Sequence, residues 1–131
     1  MKYLVDTSVL IQSLLSRPKL NRQALNLLGD ESSTLLLSAI STWEIVIKVN
    51  LGKLSLPERP QEFLARARRL MSLEVLDITH SHALAVGELP TVHRDPFDRM
   101  LIAQARVEGL ILLTDDRIFK EYDVAQIQCG K

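Results

Sequence analysis

The chain has 131 residues, 47% of them hydrophobic, and 16 basic residues balance 16 acidic ones to a net charge of +0. That length predicts one domain over residues 1–131, with a core that needs no disulfide, because a chain of this size buries roughly two-thirds of the surface it exposes when unfolded. A lone cysteine (Cys129), the lack of a membrane-length apolar run, and an Asp6 too early for a secretory core predict a cytoplasmic protein that does not engage a membrane. The balanced charge is not the basic excess of many nucleic-acid binders, although a basic patch beside an acidic site would leave no net signal.

In chain order, Lys2 to Val5 is a short apolar run, and Asp6-Thr7-Ser8 can cap a helix starting near Val9. Pro18 separates it from a second helix, in which Leu20, Ala24, Leu27 and Leu28 share a face. After a turn over residues 29–33, TLLLS (34–38) has the pattern of a buried strand. Ser41 is expected to open a third helix that ends at Gly52. Glu44 and Lys48 share one face of it, and Trp43, which shares another with Ile47 and Leu51, is assigned to the core. A loop over residues 53–60 leads to an amphipathic helix over 61–71, with Phe63, Leu64, Ala67, Leu70 and Met71 inward and the Arg66, Arg68, Arg69 run solvated. Residues 74–78 predict a strand and 80–87 a short helix. Asp95 and Pro96 start a helix closed by Gly109. Residues 110–114 predict a strand, 117–121 one helical turn, and 124–128 an edge strand. This alternation predicts an α/β fold, with a parallel sheet covered on both faces and its ligands bound beyond the carboxyl ends of the strands.

Four acids, Asp6, Glu44, Asp98 and Asp116, fall where an apolar run yields to a helix. Each has a local explanation. Asp6 and Ser8 can cap a helix, Ser41 with Glu44 matches a capping box, Asp98 suits a first turn behind an Asp95 cap, and Asp115 or Asp116 can cap the last helical turn. Capping is satisfied by Ser, Thr or Asn, however, so it does not require a carboxylate at every crossover. Carboxylates brought together would repel one another and raise one another's pKa unless a cation compensates. No other donor set competes. His80 and His82 are two apart and do not share a helix face, His93 stands alone in a loop, and Cys129 lacks a partner at zinc spacing. All-oxygen ligation points to Mg²⁺, with Mn²⁺ as the alternative.

The segments YLVDTSVLI, SAISTWEIVIKVNLGKLSLP, DPFDRMLIAQA and LLTDDRIFKEY, in this order, resemble PIN-domain proteins, and within them the VapC-type toxin ribonucleases of toxin–antitoxin pairs. The resemblance implies a single PIN domain with a central parallel sheet of four to five strands and helices on both faces. It implies a Mg²⁺-dependent endoribonuclease that cuts tRNA or rRNA by attack of a metal-activated water on the phosphodiester. Asp6, Glu44, Asp98 and Asp116 would be the catalytic metal ligands, with Asp115 and Asp95 given less weight. Thr7 or Ser8, and Thr114, match positions where the family carries a hydroxyl near the site. A cognate antitoxin and a homodimer are the implied protein partners. Lys48 and Arg99, beside the acids in sequence, are candidates for phosphate contact, with Arg94, Arg117 and Lys53 as possible rim cations. Three other readings stay open: a non-catalytic RNA- or protein-binding module of PIN-like fold, a DNA nuclease with the same metal site, and a phosphoacceptor domain. The last is disfavoured because Asp6 is followed by Thr7 and not by a second acid.

Overall fold

The computed structural model describes residues 1–131. Five parallel strands, β1 (Lys2–Val5), β2 (Thr34–Ser38), β3 (Glu74–Leu76), β4 (Ile111–Thr114) and β5 (Gln126–Gln128), form one sheet in the order β3-β2-β1-β4-β5. The chain therefore starts in the centre of the sheet, moves outward on one side, crosses back over β1, and finishes on the other edge. Six helices make the crossovers: α1 (Thr7–Leu15), α2 (Arg22–Leu28), α3 (Ala39–Asn50), α4 (Pro60–Met71), α5 (His80–Val86) and α6 (Pro96–Glu108). Short 3₁₀ turns lie at Arg17–Lys19 and Arg117–Glu121. No helix is long and apolar enough to cross a membrane.

The alternation of side chains along each strand feeds two cores. Tyr3, Val5, Leu35, Leu37 and Leu113 meet α1, α2 and α4 through Val9, Leu10, Ala24, Phe63 and Ala67. On the opposite face, Leu4 and Leu112 meet α6 and the last 3₁₀ turn through Leu101, Ile102, Phe119 and Tyr122. Both faces are thus buried, as all-parallel sheets require.

Several local expectations are corrected. The third helix begins at Ala39, because Ser38, at the very end of β2, accepts a bond from the Ile40 N–H and serves as its cap. Ser41 is instead buried inside the helix, where its Oγ accepts from the Thr7 hydroxyl at 2.8 Å, so the Ser41–Glu44 capping box does not form and Glu44 lies in the second turn. The second helix likewise starts after Asn21, whose side chain accepts from Ala24 N–H, and this leaves Leu20 outside it, fully buried and bridged to Gly130. Trp43 is not in the core. It is 57% exposed and stands edge-on to Phe97 at a centroid distance of 5.7 Å. The inward face of α3 is set by Ile40, Ser41, Glu44 and Ile45, and one residue's rotation, about 100° on a helix of 3.6 residues per turn, carries Trp43 off it. Leu51 and Leu70 are also exposed. Arg66 is not simply solvated, because it pairs with Glu58 at 2.6 Å.

Candidate active site

The carboxyl ends of β1, β2 and β4 open onto one cleft of about 750 Å³, lined by residues from five separate chain segments. All four singled-out acids, Asp6, Glu44, Asp98 and Asp116, line it together with Asp95 and Asp115, and so do the cations Lys48, Lys53 and Arg117. Six carboxylates against three cations leave the cleft negative, although the chain as a whole is neutral.

Asp6 leaves β1 and caps α1. One carboxylate oxygen accepts from Thr7 N–H at 2.7 Å and the other from the Thr114 hydroxyl at 2.8 Å, with Ser8 Oγ farther off at 3.5 Å. The Thr114 hydroxyl is itself aimed by a bond it accepts from Asp116 N–H. Asp6 is only 4% exposed. Burial pushes its carboxyl up to about 7, and the Glu44 and Asp115 charges add to the rise, against the lowering effect of the Thr114 and Thr7 bonds.

Asp98 lies in the first turn of α6, behind the Asp95 cap, which accepts from both Phe97 N–H and Asp98 N–H. Its own carboxylate has one side-chain neighbour within hydrogen-bond distance, His93 Nε2 at 3.3 Å. Its carboxyl is pushed up to about 8, first by burial and then by the charges of Asp6, Asp95, Glu44 and Asp116. Asp98 therefore senses Asp6 and Glu44 across the cleft, and Asp6 senses Glu44, although all three come from distant parts of the sequence.

Glu44 is buried, and its Oε2 takes a bond from Lys48 Nζ one turn later, at 2.5 Å. That bond raises the Lys48 pKa above the usual lysine value, with the charges of Asp95 and Asp98 adding to it. Asp116 is the open member of the four. It is exposed and caps the last 3₁₀ turn through Oδ1, which accepts from Ile118 N–H.

The structure sorts the remaining candidates. Thr7 and Ser8 line the cleft, but their hydroxyls are engaged with Ser41 and Asp115. Thr114 is fully buried and does not line the cleft, which corrects the expectation of substrate contact; it acts by orienting Asp6. Arg99 is corrected too. Its guanidinium turns away from the cleft and donates to the carbonyls of Val86, Leu89, Pro90 and His93 and to the Tyr122 hydroxyl, clamping the loop that precedes α6. Arg94 does not line the cleft, whereas Lys53 and Arg117 do.

Two participants lacked weight in the sequence. Asp115 is a hub, accepting from Ser8 Oγ at 2.6 Å and from Gln12 Nε2 at 2.8 Å. Its signal was the i, i+4 spacing of Ser8 and Gln12, which puts both on one helix face. His93 reaches Asp98 from a loop, and no sequence pattern marks that contact.

No three acidic side chains close into a preformed cage for one ion. An open, oxygen-only arrangement still fits Mg²⁺ or Mn²⁺, because Mg²⁺ dehydrates reluctantly and is commonly held by one or two carboxylates with water completing its shell. Two carboxyls, Asp6 and Asp98, whose ionisation is penalised first by burial and then by neighbouring charges supply the electrostatic demand that such a cation would meet.

A family model described as the PIN domain matches residues 3–125. The chain belongs to the PIN-domain family. Among solved structures it is similar to VapBC2 from Rickettsia felis bound to a DNA fragment from their promoter, with a TM-score of 0.75 and 22% identity, covering 99% of this chain and 100% of that one. It is also similar to DNA-bound VapBC from Salmonella typhimurium, with a TM-score of 0.66 and 25% identity over 98% of this chain and 97% of that one. The first of these likenesses bears on the fold alone. In sequence, the PIN chain is 35% identical over 69 residues to ribonuclease VapC16 of Mycobacterium tuberculosis, a match covering 50% of this chain and 49% of that protein. The alignment thus spans about half the length of the relative.

Proposed function

We propose that this PIN-domain protein is a Mg²⁺-dependent endoribonuclease, with Mn²⁺ as a working substitute, and the toxin of a toxin–antitoxin pair. One observation carries the reading: Asp6 and Asp98, 92 positions apart in sequence, share a cleft in which burial and neighbouring carboxylates push both carboxyls far above the aspartate range. Gathering such charges carries an electrostatic penalty in the folded protein, and a divalent cation turns that penalty into affinity. RNA as substrate and an antitoxin as partner draw support from the ribonuclease and the VapBC complexes to which the chain is similar.

A bound divalent ion would polarise water and offset negative charge on the departing oxygen of a phosphodiester. The chain's own residues divide the remaining work. Asp6, held at both oxygens, offers an anchor of fixed orientation. Glu44, in the second turn of α3, and Asp98, in the first turn of α6, line the same cleft. Asp116, whose Oδ2 makes no bond within the chain, suits orientation of the attacking water. Lys48, Lys53 and Arg117 line the cleft and are the cations that would draw a phosphate backbone toward it, Lys48 while paired with Glu44. Attack by water predicts products with a 5′-phosphate and a 3′-hydroxyl.

The test is incubation of the purified protein with tRNA and rRNA, and in parallel with single-stranded DNA, in Mg²⁺ or in EDTA. Cleavage of RNA in Mg²⁺ alone supports the proposal. Equal cleavage with EDTA would reject the metal requirement, preferential cutting of DNA would reassign the substrate, and metal binding without turnover on any nucleic acid would make the protein a binding module.

A further inference from the structure

Behind Asp98 lies a chain of side chains that the acidic cleft alone does not explain. His93 Nε2 stands 3.3 Å from Asp98 Oδ2, and His93 Nδ1 stands 2.7 Å from the Tyr122 hydroxyl. Tyr122 is buried. Its oxygen already accepts from Arg99 Nη1 at 3.3 Å and from the His93 backbone N–H at 3.4 Å. Those two donors occupy the acceptor sites of the phenol, so its own hydrogen must find an acceptor, because an unsatisfied buried hydroxyl is costly. The acceptor within reach is His93 Nδ1. A neutral imidazole that accepts at Nδ1 carries its hydrogen on Nε2, and that hydrogen points at Asp98. The direction of every bond in the series Arg99, Tyr122, His93, Asp98 is thereby fixed by the partner behind it.

The neighbours hold the ring in place. His93 packs edge-on to Tyr122 at 5.4 Å and against Phe119 at 6.3 Å. Arg99 clamps the loop that carries it through the carbonyls of Leu89, Pro90 and His93. Asp6 is held by Thr7 and Thr114, whereas the Asp98 carboxylate has only this histidine within hydrogen-bond distance.

We infer that His93 is a positioning residue: with its tautomer set by Tyr122, it donates from Nε2 to the outer oxygen of Asp98 and turns the other oxygen toward a divalent cation in the cleft. This inference rests on the metal reading above and adds to it a residue outside the acid set. Partners of this kind typically alter metal affinity by about ten- to a hundredfold when removed.

The test is Mn²⁺ titration of the full chain by calorimetry, using Asp98→Asn, His93→Leu, His93→Gln and Tyr122→Phe, each first checked for folding by melting in EDTA. Asp98→Asn and His93→Leu should weaken Mn²⁺ binding, the latter by about tenfold or more. His93→Gln, which keeps an N–H donor at similar reach, should restore most of the loss, a rescue that ring packing alone would not give. Tyr122→Phe deletes one oxygen and leaves the ring, so it should weaken binding in the same direction but less. If His93→Leu proves unfolded, the Tyr122→Phe result decides by itself: weaker binding supports the series and unchanged binding overturns it. Wild-type affinity in a folded His93→Leu protein, or a His93→Gln protein as weak as His93→Leu, would also overturn the inference while leaving the metal site standing. Unchanged binding in Asp98→Asn would remove both.

Discussion

The two aspartates of the cleft with raised pKa values, Asp6 buried and Asp98 partly so, are built differently. Asp6 sits at a strand-to-helix junction, where each oxygen has a donor within 2.8 Å and the carboxylate doubles as a helix cap. Asp98 sits in the first turn of α6, behind a cap that is already filled, with a single long contact from His93. Both carry raised pKa values, yet in Asp6 hydrogen bonds oppose the rise, whereas at Asp98 four neighbouring charges reinforce it. Asp6 is thus part of the fold and of the site at once. Asp98 serves the site at the expense of the fold.

Substitutions at the two positions test that contrast. The largest effect should be on catalysis, and there the two should behave alike. Asp6→Asn and Asp98→Asn are each expected to lower RNA cleavage in Mg²⁺ by about a hundredfold or more, the rate equivalent of losing about 2.7 kcal/mol or more of charge stabilisation. Stability in EDTA should separate them. Asp6→Ala strands the Thr114 hydroxyl and the Thr7 N–H, and denaturant titration should show a loss of about 2 kcal/mol, the usual scale for a lost cap and an unpaired buried donor. Asp98→Asn removes a repelled charge and should leave the protein as stable as wild type or more so. An Asp98→Asn protein much weaker than wild type in EDTA would return Asp98 to a structural role.

The pH dependence has a definite sign. A carboxyl whose folded-state pKa lies above its unfolded value binds its proton more tightly when folded. Its contribution is therefore full below about pH 4, the unfolded aspartate value, and is lost as pH rises through the folded values of about 7 and 8. Melting temperature in EDTA should fall between pH 5 and pH 8. Asp98→Asn should reduce the slope, and saturating Mg²⁺ should flatten it. A rise over that interval would mean that the two carboxyls are not electrostatically penalised. The smallest expected effect lies outside the cleft. Trp43→Ala should cost no more than about 1.5 kcal/mol, the scale of one aromatic pair with Phe97, and not the roughly 3–5 kcal/mol of a core tryptophan.

Much of this was legible in the sequence because parallel topology is a strong constraint. Once the crossovers place every strand end on one edge, Asp6, Glu44, Asp98 and Asp116 have to approach one another. Details governed by side-chain direction were not legible. Ser38 and Ser41 are both competent caps, and only the Thr7 hydroxyl, 34 residues away, claims Ser41 for the interior. Trp43 has the size of a core residue, but the inward face of α3 is turned to deliver Glu44 to the cleft, and Trp43 is carried outward. Arg99 stands beside Asp98 in sequence and on another helix face in space, where backbone carbonyls take its donors. His93 reaches Asp98 through a loop, and loops carry no periodicity from which a contact can be read.

Whether the carboxylates of the cleft share a divalent cation is read from anomalous diffraction by crystals soaked in Mn²⁺. A peak between Asp6 and Asp98, within reach of Glu44 or Asp116, is the predicted result; a cleft with no peak at saturating Mn²⁺, or a peak confined to another part of the surface, would contradict it.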